Sequence, residues 1–474
     1  MDKTIRLLCD AHELKHIESI GKDLMPVADA LQPLYHLLES ASVEWHQSIP
    51  PMKHTSTIER GPHYASITAS IRTWIAKQTS SKCITTEFVL KQSGRSIHVH
   101  IHPFRSTHDP TEVVRLIWIW LQTLDSVLAH SLRTASCSRE LHIHLFLTPF
   151  LKQWPKALPR TESKTKSGAD HPSDEKPKAD KPMAHVEPNT ESIEEIHVNS
   201  GFAFPCSKET SVRDVRSVDV LPQERFPQGR SSIVQGWDQR SPTGVQRRET
   251  ESASGGLNHI YVYREEEWFK VLIHETIHAF GVDFSAMSTK NIAIDKAIRA
   301  LDTAFPGVVA VHNADKNRIC LFEAYTECWA EWIAILFRVH EYRVHEYGGN
   351  NKNSMWKSDF VRHLELERRW SMLQASRMNA WFASNPSRMY HNRTPVFAYY
   401  VLKSVLMRHS VAFMAWCNKQ HGTNIVFDID RVESFGKFLR DHAHAVDASS
   451  MQLASSMNIQ SIAGSSLRMS LWGD

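Results

Sequence analysis

The chain has 474 residues, which is long enough for two or three domains or for one large core with insertions. Its hydrophobic share of 42% and its charged share of 23% are ordinary for a soluble globular protein. Lys and Arg number 55 against 52 Asp and Glu, and the net charge of +3 is spread without a dominant basic block, which argues against nucleic acid as a partner.

The cysteines and the first residues favour an intracellular protein. The seven cysteines are scattered, odd in number and never spaced C-x-x-C, so we expect reduced thiols and not a disulfide framework or a zinc finger. Charges interrupt every apolar run of "MDKTIRLLCDAHELKHIESIG", which therefore lacks a signal-peptide core, and no stretch is apolar enough to span a membrane. We expect a cytoplasmic or otherwise intracellular protein, associated with the virion if the chain is viral, without a membrane partner.

The first third of the chain predicts helices and a sheet. Residues 1–50 form a predicted helical segment, and residues 51–155 a predicted α+β lobe: a hairpin in "TTEFVLKQSGRSIHVHIHPF", a helix in "DPTEVVRLIWIWLQTLDSVLAH" and a central strand in "RELHIHLFLTPF". His98, His100 and His102 alternate at strand spacing and share one sheet face. A solvated face explains them better than a metal site, so no role is assigned to them.

Composition then shifts twice along the chain. Residues 156–192 and 238–256 are rich in Pro, Ser and charges and have almost no large apolar side chains, so we expect disorder in both. The unit 193–284 contains predicted strands in "IEEIHVNSGFAFP" and "LNHIYVYR" and a predicted helix in "EEEWFKVLIHETIHAFG". We expect the acidic residues to occupy the first turn of this helix and Gly281 to end it. Residues 285–474 form a predicted helical lobe.

The stretch "HETIH" places two histidines four residues apart. On a helix, His274 and His278 lie on one face, and Glu275, the residue after His274, lies beside that face. In this H-E-x-x-H arrangement two imidazoles bind one Zn²⁺, and the neighbouring glutamate takes a proton from a metal-activated water. The motif therefore predicts one zinc ion and Glu275 as the catalytic base.

A catalytic zinc usually takes a third protein ligand. The metzincin pattern would put that ligand at residue 284, but Phe284 cannot coordinate a metal and Asp283 lies one place early. The other source is "LFEAYTECWAEWIAILF", an almost wholly apolar helix whose glutamates step by four along one face: Glu323, Glu327 and Glu331. A solvated acidic stripe is the ordinary alternative, but buried carboxylates need a partner, and zinc would supply one. Glu323 and Glu327 both remain candidate ligands on this pattern.

These two helices resemble the gluzincins, the thermolysin-like H-E-x-x-H metalloproteases. The resemblance implies a zincin-like α+β fold: an N-terminal mixed sheet with helices, packed against a mainly helical C-terminal lobe, with the active-site helix between them. It favours Glu323 as the third ligand and Glu327 as the acid that orients a zinc-bound histidine, although that acid is usually Asp. The pieces "NSGF", "IYVYREEEWFKVLIHETIHAFGVDF", "EAYTECWA" and "TPVFAYYVLK" also resemble an uncharacterised group of H-E-x-x-H proteins of large DNA viruses and protists.

Together these features predict a zinc-dependent metallopeptidase that acts on a protein or peptide substrate. Candidate donors to the reaction's oxyanion lie in "YHNRTPVFAYY": His391, Arg393, Tyr399 and Tyr400. Asn199 lies on a strand that could pair with an extended substrate. The alternatives are an inactive, metal-stabilised interaction protein and a di-iron carboxylate protein, which would need a second E-x-x-H helix.

Overall fold

A computed structural model describes the parts of the chain that carry these predictions. It covers residues 22–78, 83–103, 109–129, 139–152, 199–204, 257–287, 291–316, 319–347, 355–384, 390, 395–421, 425–443 and 467–471. The two segments for which we expect disorder, 156–192 and 238–256, lie outside these ranges. Within the ranges, every helix is too short or too polar to cross a lipid bilayer.

The described ranges contain eleven α-helices and six β-strands. The helices are α1 (Met25–Trp45), α2 (Ala69–Ala76), α3 (Pro110–Ala129), α4 (Trp268–Ala279), α5 (Ile292–Leu301), α6 (Val308–Ala314), α7 (Leu321–Tyr347), α8 (Met355–Ser384), α9 (Lys403–Arg408), α10 (Ser410–His421) and α11 (Val432–Ala443). The strands are β1 (Met52–Thr55), β2 (Cys83–Val89), β3 (Ser96–Pro103), β4 (Glu140–Leu147), β5 (Gly201–Phe204) and β6 (Leu257–Val262). A π-helical turn at Phe397–Leu402 leads directly into α9.

The six strands form one mixed sheet in the order β1-β2-β3-β4-β6-β5. β2 and β3 pair as the predicted antiparallel hairpin, and β3, β4 and β6 are parallel. The crossover from β3 to β4 contains α3, as a parallel connection requires. β5 pairs antiparallel with β6 at the sheet edge. The α+β class, with a mixed sheet and a mainly helical remainder, is confirmed.

Strand alternation gives the sheet two different faces. One face carries aliphatic side chains such as Ile97, Ile143 and Ile260, which belong to the main core together with α3, α4 and α7. The opposite face carries histidines and aromatic residues. A smaller cluster that includes Ile71 of α2 and Tyr261 of β6 covers part of that second face.

α4 lies between the sheet and the helical part of the chain, packed against β5, β6 and α7. It begins at Trp268, so its first turn contains no acidic residue, and the prediction that acids occupy that turn is wrong. Glu267 precedes the helix with a left-handed φ of 60° and pairs with the buried Lys152 ammonium at 2.6 Å. Ion pairing, and not the helix dipole, therefore explains that acidic residue. The helix ends at Ala279, and Gly281 follows with a φ of 64°, a backbone conformation that suits glycine.

Candidate metal centre

Two helical stripes with a four-residue step face each other across the α4 and α7 interface. The α4 stripe consists of Lys270, His274 and His278, and the α7 stripe of Glu323, Glu327 and Glu331. The two stripes run antiparallel: His278, the last residue of the α4 stripe, lies beside Glu323, the first of the α7 stripe. Lys270, at the other end, lies beside Glu327 and Glu331. A step of four keeps each stripe on one side of its helix.

One end of this interface brings three candidate ligand atoms together. The Nε2 atoms of His274 and His278 are 3.0 Å apart. An oxygen of Glu323 lies 3.0 Å from the first and 3.3 Å from the second. A tetrahedral zinc ion with bonds of about 2.0–2.1 Å places its donor atoms roughly 3.4 Å apart. The triangle therefore has nearly the size that a shared metal ion requires.

The remote nitrogen of each histidine has its own carboxylate. Nδ1 of His274 lies 2.9 Å from Glu327, and Nδ1 of His278 lies 2.7 Å from Asp283. Asp283 is fixed in turn by the hydroxyls of Thr326 and Ser285, which donate to it at 2.8 and 2.6 Å. Since a carboxylate can only accept here, each Nδ1 donates its proton and each Nε2 is left facing the triangle.

This donor set fits a metal ion. With both Nδ1 atoms protonated, two imidazole lone pairs and one carboxylate oxygen point at each other, and three acceptors that converge repel one another unless a cation lies between them. Two imidazoles with one carboxylate form a His₂Glu set that suits zinc. His274, His278 and Glu323 are accordingly a group that could hold a metal ion.

Without a metal, protons take the place of that cation. Burial opposes a charge on His274, but its hydrogen bonds to Glu323 and Glu327 outweigh burial and raise its pKa to about 9. Burial likewise opposes a charge on His278, yet Asp283 and Glu323 hold its pKa well above the ordinary value. Burial acts to raise the pKa of Glu323, but the two histidines lower it to about 2. The centre thus attracts positive charge strongly.

Glu275 lies beside the triangle and faces a cleft. Its side chain is only 7% exposed, and burial raises its pKa to about 7. The walls of this cleft also contain His274, Tyr399 and Met469. A glutamate with a pKa near neutrality can exchange a proton with a molecule in that cleft.

The start of the edge strand β5 forms another wall of the cleft. Asn199, Ser200 and Gly201 line it beside Glu275. A side chain at Gly201 would collide with Val271, because a Cβ there would lie 2.7 Å from that residue's methyl group. Asn199 Oδ1 and Ser200 Oγ are buried without a hydrogen-bond partner among the described residues. Both side chains thus lie in the cleft wall with hydrogen-bonding capacity that the described residues leave unused.

The predicted oxyanion donors separate into three groups. Tyr399 lies at the centre, with its ring 5.8 Å from that of His274, and burial together with nearby carboxylates raises its pKa well above the ordinary value, so its hydroxyl stays protonated. Tyr400 points elsewhere, since its hydroxyl donates to the carbonyl of Leu467 at 2.5 Å. His391 and Arg393 lie outside the described residues.

Sequence reasoning missed three partners of the centre. Asp283 was considered only as a third metal ligand and rejected. Its position five residues after His278 is nevertheless a local signal for an acid that orients that histidine. Lys270 bonds Glu327, and Lys403 reaches Glu331 at 3.0 Å, so the glutamate stripe has cationic partners on other helices. Only the fold shows those pairings, because the partners are remote in sequence.

Comparisons of the chain with protein-family models, curated proteins and solved structures found no match. The resemblance to gluzincins and to viral and protist H-E-x-x-H proteins therefore stays a prediction.

Proposed function

We propose that the protein is a zinc-dependent metallopeptidase with a zincin-like fold of the gluzincin type. The observation that carries the proposal is the convergence of His274, His278 and Glu323 on one point, with a carboxylate on each histidine's remote nitrogen. Glu275 adds a base of neutral pKa that faces the adjoining cleft. This combination is what metal-assisted peptide hydrolysis needs.

His274, His278 and Glu323 would hold the zinc, and Glu327 would orient His274 without itself binding the metal. Glu327 reaches Nδ1 of His274, on the far side of that ring from the triangle, and its second oxygen bonds Lys270. Between the two candidate third ligands, this placement favours Glu323. Bound zinc would supply a water of lowered pKa and a positive charge beside the substrate carbonyl.

Glu275 would move the proton. Its carboxylate takes a proton from the attacking water and passes it to the nitrogen of the leaving amine as the peptide bond breaks. A pKa of about 7 suits both steps, because the group is then neither too weak a base nor too weak an acid. Its position in the wall of the cleft gives it access to that substrate.

Tyr399 would donate its hydroxyl proton to the oxygen that becomes negative during the attack. Its raised pKa keeps that proton in place at neutral pH, and its ring contacts the ring of His274. A preorganised donor of this kind contributes about 3 kcal/mol to catalysis when it is aimed at the developing charge. Among the four predicted donors, the described contacts favour only Tyr399.

The substrate would lie as an extended strand along β5. Among the described strands β5 is the last of the sheet, and no described strand pairs with its edge that faces away from β6; such an edge can pair with an extended peptide. Asn199 Oδ1 and Ser200 Oγ add one acceptor and one hydroxyl beside the cleft. A protein or peptide in extended form fits these groups.

The test is peptide hydrolysis by the zinc-loaded protein and by Glu275→Gln. Mixed peptide libraries incubated with each protein are analysed for new termini by mass spectrometry. Glu275→Gln should retain zinc and lose at least about a hundredfold in rate, as expected when a general base is removed. Tyr399→Phe should retain zinc and lose roughly a hundredfold to a thousandfold in rate, the effect of one oxyanion donor.

Glu39→Gln is the matched control. Glu39 lies on α1, where it contacts His36, and it is not among the residues that line the cleft. It should cleave peptides at the wild-type rate. Equal rates for wild type and Glu275→Gln would contradict the proposal. Zinc binding with no cleavage of any library would favour the inactive, metal-stabilised interaction protein.

A further inference from the structure

The sheet face opposite α4 carries six histidines that the proposed function does not use. We call them the histidine array: His98, His100, His102, His142, His144 and His259. The parallel register places His98, His142 and His259 in one row across β3, β4 and β6, and His100 beside His144 in the next row. A solvated single strand, the simple interpretation of the β3 histidines, does not describe this arrangement.

The rings of the array stack on one another. The centroids of His98 and His142 are 4.5 Å apart, those of His100 and His144 are 4.7 Å apart, and those of His142 and His259 are 5.0 Å apart. Burial and mutual repulsion lower the pKa of His100 to about 4, and that of His259 to about 4. Neutral imidazoles, the form that binds metals, therefore dominate at neutral pH.

Several ring nitrogens in the array have no hydrogen-bond partner among the described residues. They are Nε2 of His142, both nitrogens of His100, Nδ1 of His102 and Nδ1 of His144. A buried polar atom without a partner is destabilising, so native structures rarely leave one unsatisfied. These nitrogens are concentrated on two neighbouring strands, β3 and β4, and the described residues leave their lone pairs or N–H groups unused, so a bound ion could satisfy some of them.

The two ends of the array differ in access. At one end the loop before α2 covers it: a Cβ at Gly61 would lie 2.7 Å from Nε2 of His144. At the other end the side chains of His98, His142 and Glu140 are 24%, 21% and 48% exposed. An ion from solvent can therefore reach the array at the Glu140 end.

We propose that His98, Glu140 and His142 form a second metal site, which binds a divalent transition-metal ion such as Zn²⁺ or Cu²⁺. The three residues offer ligand atoms that all lie within 4.8 Å of one another. Two imidazoles and a carboxylate suit these ions, whereas Mg²⁺ and Ca²⁺ prefer oxygen donors.

Glu140 and His142 already lie near each other, whereas both histidine rings must turn before the site can close. Nε2 of His142 is already 3.7 Å from Glu140, close to the roughly 3.4 Å between donors around a tetrahedral ion. The His98 and His142 rings must turn out of their stack so that one nitrogen of each points at the ion. His98 has room to turn because it is partly exposed, and Glu87 lies 3.7 Å from its Nδ1 and adds negative charge nearby. A bound ion would tie β3 to β4 at the open end of the array.

The test is equilibrium dialysis of the whole protein over a range of buffered free Zn²⁺, with bound metal counted by mass spectrometry. Wild type should show two equivalents. The weaker one should bind at least about tenfold less tightly in His142→Gln and in Glu140→Gln, since even groups that only orient ligands contribute that much. Glu140 is exposed at the start of its strand, so Glu140→Gln preserves the fold even if His142→Gln does not.

Two further variants separate this site from the α4 centre. His278→Ala should lose the tighter equivalent and retain the weaker one. His46→Gln, a change at an exposed histidine beyond the end of α1, should retain both. A second equivalent with equal affinity in Glu140→Gln, His142→Gln and His46→Gln would overturn the proposal, and so would a wild-type protein that binds no second equivalent.

Discussion

The α4 centre and the histidine array use the same side chain in opposite ways. At the centre each histidine has a carboxylate on its remote nitrogen, and the pKa of His274 rises to about 9 although the ring is buried. In the array the rings face one another, and the pKa of His144 falls to about 2 through burial and neighbouring histidines. Burial opposes a charge on the histidines at both sites, and only at the centre do neighbouring acids outweigh it.

The comparison also distinguishes two kinds of metal site. The α4 centre has its donor atoms about 3 Å apart and held by Glu327 and Asp283, so it is preorganised for an ion. At the array, His98 and His142 must first leave a ring stack. Preorganised donors lose less entropy on binding, so we expect the centre to bind zinc more tightly.

The largest expected effect on the difference in zinc affinity between the two sites comes from removing the acids that orient His274 and His278. Glu327→Gln and Asp283→Asn retain the shape of each side chain but remove its charge, and zinc affinity at the centre should fall about 10–100-fold in each. Glu327→Gln should also lower stability, because the acidic neighbours that Lys270 retains among the described residues, Glu331 at 3.9 Å and Glu267 at 4.0 Å, are more distant. Competition with a zinc chelator measures the affinities.

Ser285→Ala is the control for that experiment. Its hydroxyl donates to the Asp283 oxygen that does not bond His278, so zinc affinity should change by much less than tenfold. If Asp283→Asn and Ser285→Ala lower zinc affinity equally, the contact between Asp283 and His278 does not contribute to zinc binding.

The opposite pKa shifts predict opposite pH dependence for the two regions in the metal-free protein. A folded pKa of about 9 for His274, above the ordinary 6.5, gives stability that is complete below pH 6.5 and is lost as the pH rises towards 9. A folded pKa of about 4 for His100, below 6.5, gives stability that is complete above pH 6.5 and is lost as the pH falls towards 4.

His100→Phe tests the acid side of this prediction. A phenyl ring suits the stack, since His102 already stacks on Phe146 with centroids 4.5 Å apart. Between pH 7 and pH 5 the variant should lose about 1–2 kcal/mol less unfolding free energy than wild type. Denaturant titrations with a chelator present measure this, and His46→Gln should follow wild type. The same loss in His100→Phe as in wild type would show that His100 ionises normally in the folded protein.

Local pattern predicted much of the fold. Alternation identified β2 and β3, a mostly apolar run identified β4, and helical periodicity identified α3 and α4, because each signal lies within one element. The face that His98 and His100 share was also foreseeable. Their partnership with His142 and His259 was not, since it depends on a parallel register between strands far apart in sequence.

The candidate centre divides in the same way. His274, Glu275 and His278 follow from spacing within one helix, and a four-residue step made Glu323 and Glu327 candidates. The spacing could not distinguish Glu323 from Glu327 as the third ligand, because that depends on the axial register between α7 and α4. Lys270, Lys403 and the wall at Asn199 depend on the packing of separate elements, which no local pattern encodes.

Metal content of the purified, zinc-reconstituted protein after exposure to a weak chelator tests the central claim most directly. Mass spectrometry should find one tightly held zinc per chain in wild type and in Glu275→Gln. His278→Ala and Glu323→Ala should lose that zinc, whereas Glu327→Ala should retain part of it. A wild-type protein without zinc, or a His278→Ala variant that holds zinc as tightly as wild type, would contradict the assignment of the α4 centre.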